Sequence, residues 1–254
     1  MARSQVIKDM LTIFDAPRYP MMAMGDALQY KLRYPTPHAC FDGFLPPYLA
    51  GDIAAAFPDT SNKGWTIHSN DHADRKFLGD ETKVDPVFRA FMQATASRQF
   101  LLFLETLTGI KGLIPDPYYI GGGAMTAGRG DKLAMHIDFN WHYKLHVHRR
   151  CNALFYLSPD WKNEWGGELI LGKKADVAYA PNFNRLIVFS TNEGSWHGQP
   201  IPINCPLGRL RRVFSAFFYT AGSPDQLADP HLTKYHDTTP YTEKPLKDYQ
   251  IESD

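Results

Sequence analysis

From Tyr118 to Thr220 the chain is written in short apolar or alternating segments, at about 118–127, 133–139, 150–157, 167–171, 175–179, 185–190 and 209–220, separated by turn residues. Their even spacing predicts a β-sandwich or barrel. Such a sheet needs one large core, and 254 residues with 44% hydrophobic and 13% aromatic content supply it. No repeat or low-complexity linker divides the chain, so one main domain is expected.

Ahead of this region the periodicity is helical. Pro46 and Pro47 introduce a helix over Tyr48 to Phe57, stopped by Pro58. A longer pattern, with Phe88, Phe91, Met92, Phe100, Phe103, Leu104 and Leu107 at helical spacing, runs from about Pro86 to Leu107 and meets Gly109 as its stop. Both helices are expected to brace one face of the sheet. Residues 1–38 read as a lead-in with one helix near Gln5 to Phe14, and 39–220 as the main domain. Residues 221–254 read as a C-terminal extension, either a surface segment or a lid over the site.

Charge and cysteine usage exclude several roles. Lys plus Arg and Asp plus Glu both total 27, so no bulk field draws the chain to nucleic acid or an anionic membrane. Cys40, Cys151 and Cys205 are widely spaced and form no CxxC, which argues against a disulfide framework or zinc ribbon and for reduced thiols. The N-terminus lacks the apolar run of a signal peptide, and nothing later approaches the roughly 18 apolar residues of a membrane span. A cytoplasmic protein without membrane contact is expected; nothing in the sequence sets its oligomeric state.

The chemistry is carried by His136-Ile137-Asp138 and by His197 in Ser195-Trp196-His197-Gly198. On a strand, residues i and i+2 point to one face, so His136 and Asp138 can hold one ion while His197 closes from another strand. Two neutral imidazoles and one carboxylate form a facial set that leaves the opposite positions of iron(II) open for a cosubstrate and O2. Downstream, Gly208 to Tyr219 is an arginine-rich β segment. By alternation Arg209, Arg211, Val213 and Ser215 share one face, and Arg212, Phe214 and Ala216 the other. An inward arginine there can grip a cosubstrate carboxylate with a bidentate fork.

Other features have narrower readings. Asn152 begins an apolar strand, where an inward amide is a candidate for binding cosubstrate. Asn140 and Trp141, just beyond Asp138, are candidates for shaping a substrate pocket. His142, His146 and His148 read as solvated loop histidines, since His142-x-x-x-His146 has no adjacent Glu. Gly121-Gly122-Gly123 signals close backbone packing, and Trp165-Gly166-Gly167 a tight turn.

Leu113 to Tyr118, Gly121 to Gly123, His136 to Trp141, Trp165 to Leu169, His197-Gly198 and Arg211-Arg212, taken in order, resemble the prolyl-4-hydroxylase-like branch of the Fe(II)/2-oxoglutarate-dependent dioxygenases. The resemblance spans roughly residues 40–220. It implies a mainly β fold with flanking α-helices around a double-stranded β-helix, the cupin-like jelly roll. The implied iron ligands are His136, Asp138 and His197, and Arg211 is the implied partner of the 2-oxoglutarate C5 carboxylate. Two positions depart from the pattern. Val213 stands where a Ser or Thr often follows that arginine, leaving Arg209, Ser215 or a tyrosine to assist it. Leu133 stands where animal and algal prolyl hydroxylases carry a tyrosine.

The resemblance further implies iron(II), 2-oxoglutarate and O2 as cofactors, with ascorbate as an accessory reductant. The implied reaction is hydroxylation, or a related oxidation, of an unactivated C–H bond in a small-molecule or amino-acid-like substrate. Halogenation is disfavoured because Asp138 fills the position that Gly or Ala opens to chloride in related halogenases. A prolyl-type protein hydroxylase, a cupin-like metalloenzyme independent of 2-oxoglutarate and a silent β-barrel binding module are the rival expectations.

Overall fold

The computed structural model describes residues 2–222 and 229–236. The expected extension falls partly outside them, at 223–228 and 237–254. Five helices are described, Arg3–Leu11 (α1), Arg18–Leu32 (α2), Pro47–Ala55 (α3), Pro86–Thr95 (α4) and Arg98–Thr108 (α5). The strands are His38–Phe41 (β1), Thr66–Asn70 (β2), Ala73–Leu78 (β3), Ile114–Pro115 (β4), Gly123–Ala127 (β5), Leu133–Ile137 (β6), Trp141–His142 (β7), Val147–Tyr156 (β8), Leu169–Leu171 (β9), Val177–Tyr179 (β10), Arg185–Ser190 (β11), His197–Gln199 (β12), Arg211–Thr220 (β13) and Lys234–Tyr235 (β14).

The sheet runs β1-β11-β8-β13-β5-β3-β6-β12-β9-β10, each neighbour antiparallel to the next. It curls into a jelly roll, so residues of β8, β11 and β13 face those of β6, β9 and β12 across one cavity. Period-two alternation sorts the side chains. On β13, Phe214, Ala216 and Phe218 join the core beneath the helices, while Val213, Ser215 and Phe217 turn inward. On β8, Phe155 and Leu154 divide in the same way. Phe91 of α4 meets Phe155 and Phe214 edge-on, with ring centroids 5.1 Å apart in both pairs.

The helical stretch expected over 86–107 is two helices. Asp85 caps α4 through Val87 N, and Pro86 occupies a first-turn position where its missing N–H costs nothing. Ser97 then accepts from Phe100 N at 3.3 Å and starts α5, which ends at Gly109 with φ of 76°. The lead-in carries more structure than the single helix expected. Val6 and Met10 of α1, Phe14, and Tyr19, Ala23 and Tyr30 of α2 are buried in the same core as β8 and β13. The sequence hides α2 because apolar residues occupy two opposite faces of it, which erases the one-sided period of an amphipathic helix. Among the described residues Cys151 and Cys205 are free thiols, and no helix is long and apolar enough to cross a membrane.

The glycine run supports close packing, as its composition suggested. Gly123 has φ of 86°, and a Cβ there would collide with the backbone of Leu78 and Gly79 on the neighbouring strand. Gly123→Ala should therefore destabilise the protein by about 2–4 kcal/mol, with an unchanged m-value in chemical denaturation.

Candidate active site

His136 lies on β6 directly opposite His197 on β12, and Asp138 follows the end of β6. The antiparallel pairing places the two imidazole centroids 4.3 Å apart. Asp138 sits between their free nitrogens, with Oδ1 3.5 Å from His136 Nε2 and Oδ2 3.3 Å from His197 Nε2. The three donors lie within 4.8 Å of one another, the one His/Cys/Asp/Glu cluster of metal-binding form among the described residues.

Each ring is oriented from behind. His136 Nδ1 is 2.8 Å from the Ala134 carbonyl and His197 Nδ1 is 2.8 Å from the Ser195 carbonyl. A carbonyl only accepts, so both Nδ1 atoms carry a proton, and both Nε2 atoms are turned to the centre. Burial, then the neighbouring His197, lowers the His136 pKa and favours the neutral ring. For Asp138 burial pulls upward, but Arg149, followed by His197 and His136, outweighs it and holds the carboxyl well below its usual range. An oriented imidazole pair with a standing carboxylate fits iron(II).

Arg149 is a participant that alternation does not find. Counting back from Tyr156, Leu154 and Asn152, all inward on β8, the next inward residue should be Arg150. A register shift between β8 and β13 intervenes: Phe218 pairs with Cys151, but Tyr219 pairs with Arg149. The extra residue rotates Arg149 inward and sends Arg150 to Thr220 Oγ1 at 3.1 Å. Arg149 is 2% exposed, with its guanidinium 3.5 Å from the Phe217 ring centroid and Nη2 2.9 Å from Asp138 Oδ2. The Nη2 contact is an ion pair without hydrogen-bond alignment, and neither Nη atom has a hydrogen-bond partner among the described residues.

Asn152, expected to reach the cosubstrate, is instead committed to this brace. It donates to Asp138 Oδ2 at 2.8 Å and accepts from Arg149 Nε at 3.0 Å. Asn140 is committed as well, because its amide donates to the Asp229 carbonyl and accepts from His231 N, holding the segment 229–236. Trp141 packs edge-on to His148 and lines an apolar groove with Phe139, Pro230 and Leu232. His142 departs from the solvated reading. It is fully buried, and its Nε2 lies 3.1 Å from Asp116 Oδ1 while Nδ1 accepts from Leu145 N.

The arginines separate by position. Arg209 precedes β13 in an exposed turn and lines a different pocket, so the expectation that it binds cosubstrate fails on placement. Arg212 points outward, with its guanidinium 5.6 Å from the Phe57 ring. Arg211 lines the cavity together with the triad. Its Nη1 donates to the Gly167 carbonyl at 2.5 Å, while its Nε is buried without a partner among the described residues. Gly167 has φ of 90°, and a Cβ there would press on Arg211 Cδ at 3.0 Å. Tyr156, paired across strands with Val213, lines the same cavity, and burial pushes its phenol up to about 12, so it remains a neutral donor. An unpartnered buried guanidinium N–H beside a neutral phenol fits a carboxylate. The alternating Asn152, Leu154 and Tyr156 were the sequence signal for this tyrosine.

Arg149→Met removes the buried partner of Asp138. We expect metal affinity, measured calorimetrically with cobalt(II), to fall about 10–100-fold, with the far-UV dichroism retained. Arg149→Lys should recover little of it, because an ammonium lacks the planar fork that reaches Asn152 and Asp138 together.

Residues 122–220 match the family described as the 2OG-Fe(II) oxygenase superfamily. No curated protein matches the sequence. Among solved structures, the fold is similar to a prolyl hydroxylase from Trichoplax adhaerens in complex with a hypoxia inducible factor peptide fragment (TM-score 0.58, 16% identity, 80% of this chain and 90% of that one). It is also similar to a Pseudomonas putida prolyl-4-hydroxylase (TM-score 0.57, 16% identity, 78% and 100%). A third likeness is to HygX from Streptomyces hygroscopicus with nickel and 2-oxoglutarate bound (TM-score 0.50, 13% identity, 76% and 85%). Residues 122–220 thus resemble the 2OG-Fe(II) oxygenase superfamily and the fold is similar to that of prolyl hydroxylases; iron(II), 2-oxoglutarate and O2 are the cofactors that this family implies.

Proposed function

We propose that this chain hydroxylates an unactivated C–H bond of a small-molecule or amino-acid-like substrate and couples that oxidation to conversion of 2-oxoglutarate to succinate and CO2. The observation that carries the reading is the meeting of His136, Asp138, His197 and the unpartnered Nε of Arg211 in one cavity. His136, Asp138 and His197 would hold iron(II), and Arg211 with Tyr156 would anchor the far carboxylate of 2-oxoglutarate. Bound iron supplies the oxygen chemistry; the protein's own part is orientation, exclusion of water and charge.

Asp138 occupies the position a halide would need, which supports hydroxylation over halogenation. The Nη atoms of Arg149, beside Phe139 and Phe217, offer donors to a substrate carbonyl or carboxylate at the cavity. A peptidyl-proline substrate is the second reading, favoured by the fold likeness to prolyl hydroxylases. Leu133, which lines the cavity where a tyrosine stands in animal and algal prolyl hydroxylases, counts against it.

The test begins without a substrate. Iron(II) and then 2-oxoglutarate, added anaerobically to metal-free protein, should produce the visible charge-transfer band of the chelated pair, and His136→Ala should produce none. Arg211→Ala should raise the 2-oxoglutarate concentration for half-saturation about 10–100-fold while metal affinity holds. A parent protein that binds iron(II) yet gives no band would remove the 2-oxoglutarate role. A panel of small amino acids and proline-containing peptides, scored by stimulated succinate release, then separates the two substrate readings.

A further inference from the structure

We infer that the outer face of α2 is an interface through which two copies of this chain pair about a two-fold axis. Tyr19, Ala23 and Tyr30 of α2 are buried, and the helix packs on α5. Met21, Met24, Leu28 and Leu32 are 66%, 62%, 66% and 69% exposed. At roughly 100° per residue the two sets are centred about 180° apart. A helix apolar on two opposite faces is built to lie between two packing layers, and among the described residues the chain supplies only the inner layer.

Gly25 lies at the midpoint of α2, within the exposed stripe. A glycine in a helix interior costs about 0.5–1 kcal/mol relative to alanine. Nothing inside the chain requires it, because a Cβ there would meet no atom within 4 Å. A missing side chain at the centre of an apolar stripe allows a second helix to approach closely. An isologous axis through Gly25 would lay each stripe antiparallel on its copy.

Beside the stripe, Arg18 is bonded to the carbonyls of Gly43 and Phe44 within its own chain, and Lys31, three residues after Leu28, stands exposed at the stripe's border. The formal net charge of the chain is zero. Near-complete burial of the four stripe side chains would withdraw roughly 500 Å² per copy, or about 1,000 Å² in all, the lower bound for a biological interface.

Sedimentation velocity on the full chain at micromolar concentrations tests this directly. The parent should sediment at twice the chain mass, and Leu28→Glu should raise the dissociation constant at least about 100-fold while keeping the parent's far-UV dichroism. Leu207→Glu, at a residue 85% exposed in a distant turn, should leave the pair intact. Gly25→Cys should yield a disulfide-linked pair under mild oxidation, and it decides the matter should Leu28→Glu lose its fold. A parent that is monomeric at every concentration, or a pair that survives both Leu28→Glu and Met24→Glu, overturns the inference. Binding of a monomeric parent to phosphatidylcholine vesicles through Leu28 also overturns it, by giving the face to lipid.

Discussion

A carboxylate withdrawn from water must be matched by positive charge or hydrogen bonds, and the organisation around Asp138 follows from that requirement. Its two oxygens meet His136, His197, Arg149 and Asn152, contributed by β6, β12 and β8. Those strands belong to opposite walls of the jelly roll, so the sheet must curl for the charge to be satisfied. Arg149 in turn is a buried cation whose flat faces rest on Phe139 and Phe217. The ligand set and its braces therefore form one unit, and a change in any member leaves another member's charge or donors unmatched.

The same strands carry two chemistries on two faces. Outward residues of β8, β11 and β13 interlock with phenylalanines of α4 and α5, where shape and apolar area matter. Inward residues include Asn152, Tyr156, Arg211 and Ser215, which a purely apolar barrel would exclude. The aromatic layer beneath packs the outward faces of these strands and so positions the polar inward set.

Much of this was legible because it depends on period two and local turn chemistry. His136 and Asp138 share a face by spacing alone, Arg211 and Arg212 separate by alternation, and Gly123 marks a place where backbone comes too close for a Cβ. What stayed hidden depends on tertiary detail. A register shift reversed the facing of Arg149 and Arg150, which no alternation rule anticipates. Asn152 was correctly read as inward, but its partner proved to be the ligand carboxylate. Asn140 serves a segment far away in sequence, and His142 meets Asp116 across the fold. The exposed turn that carries Arg209 broke the strand expected to begin there.

The segment 229–236 limits what can reach His136 and Asp138. β14 pairs with β6 at Ile137 and His136, and its Tyr235 stacks on His72 at 4.6 Å. Glu193 fastens it through His231 and Lys234, each at 2.6 Å. The main-chain groups of the ligand-bearing strand are thus already claimed by the protein's own backbone. An extended polypeptide seeking to add itself along that edge would compete with an intramolecular occupant at high effective concentration, whereas a compact molecule that enters between side chains would meet no such competitor.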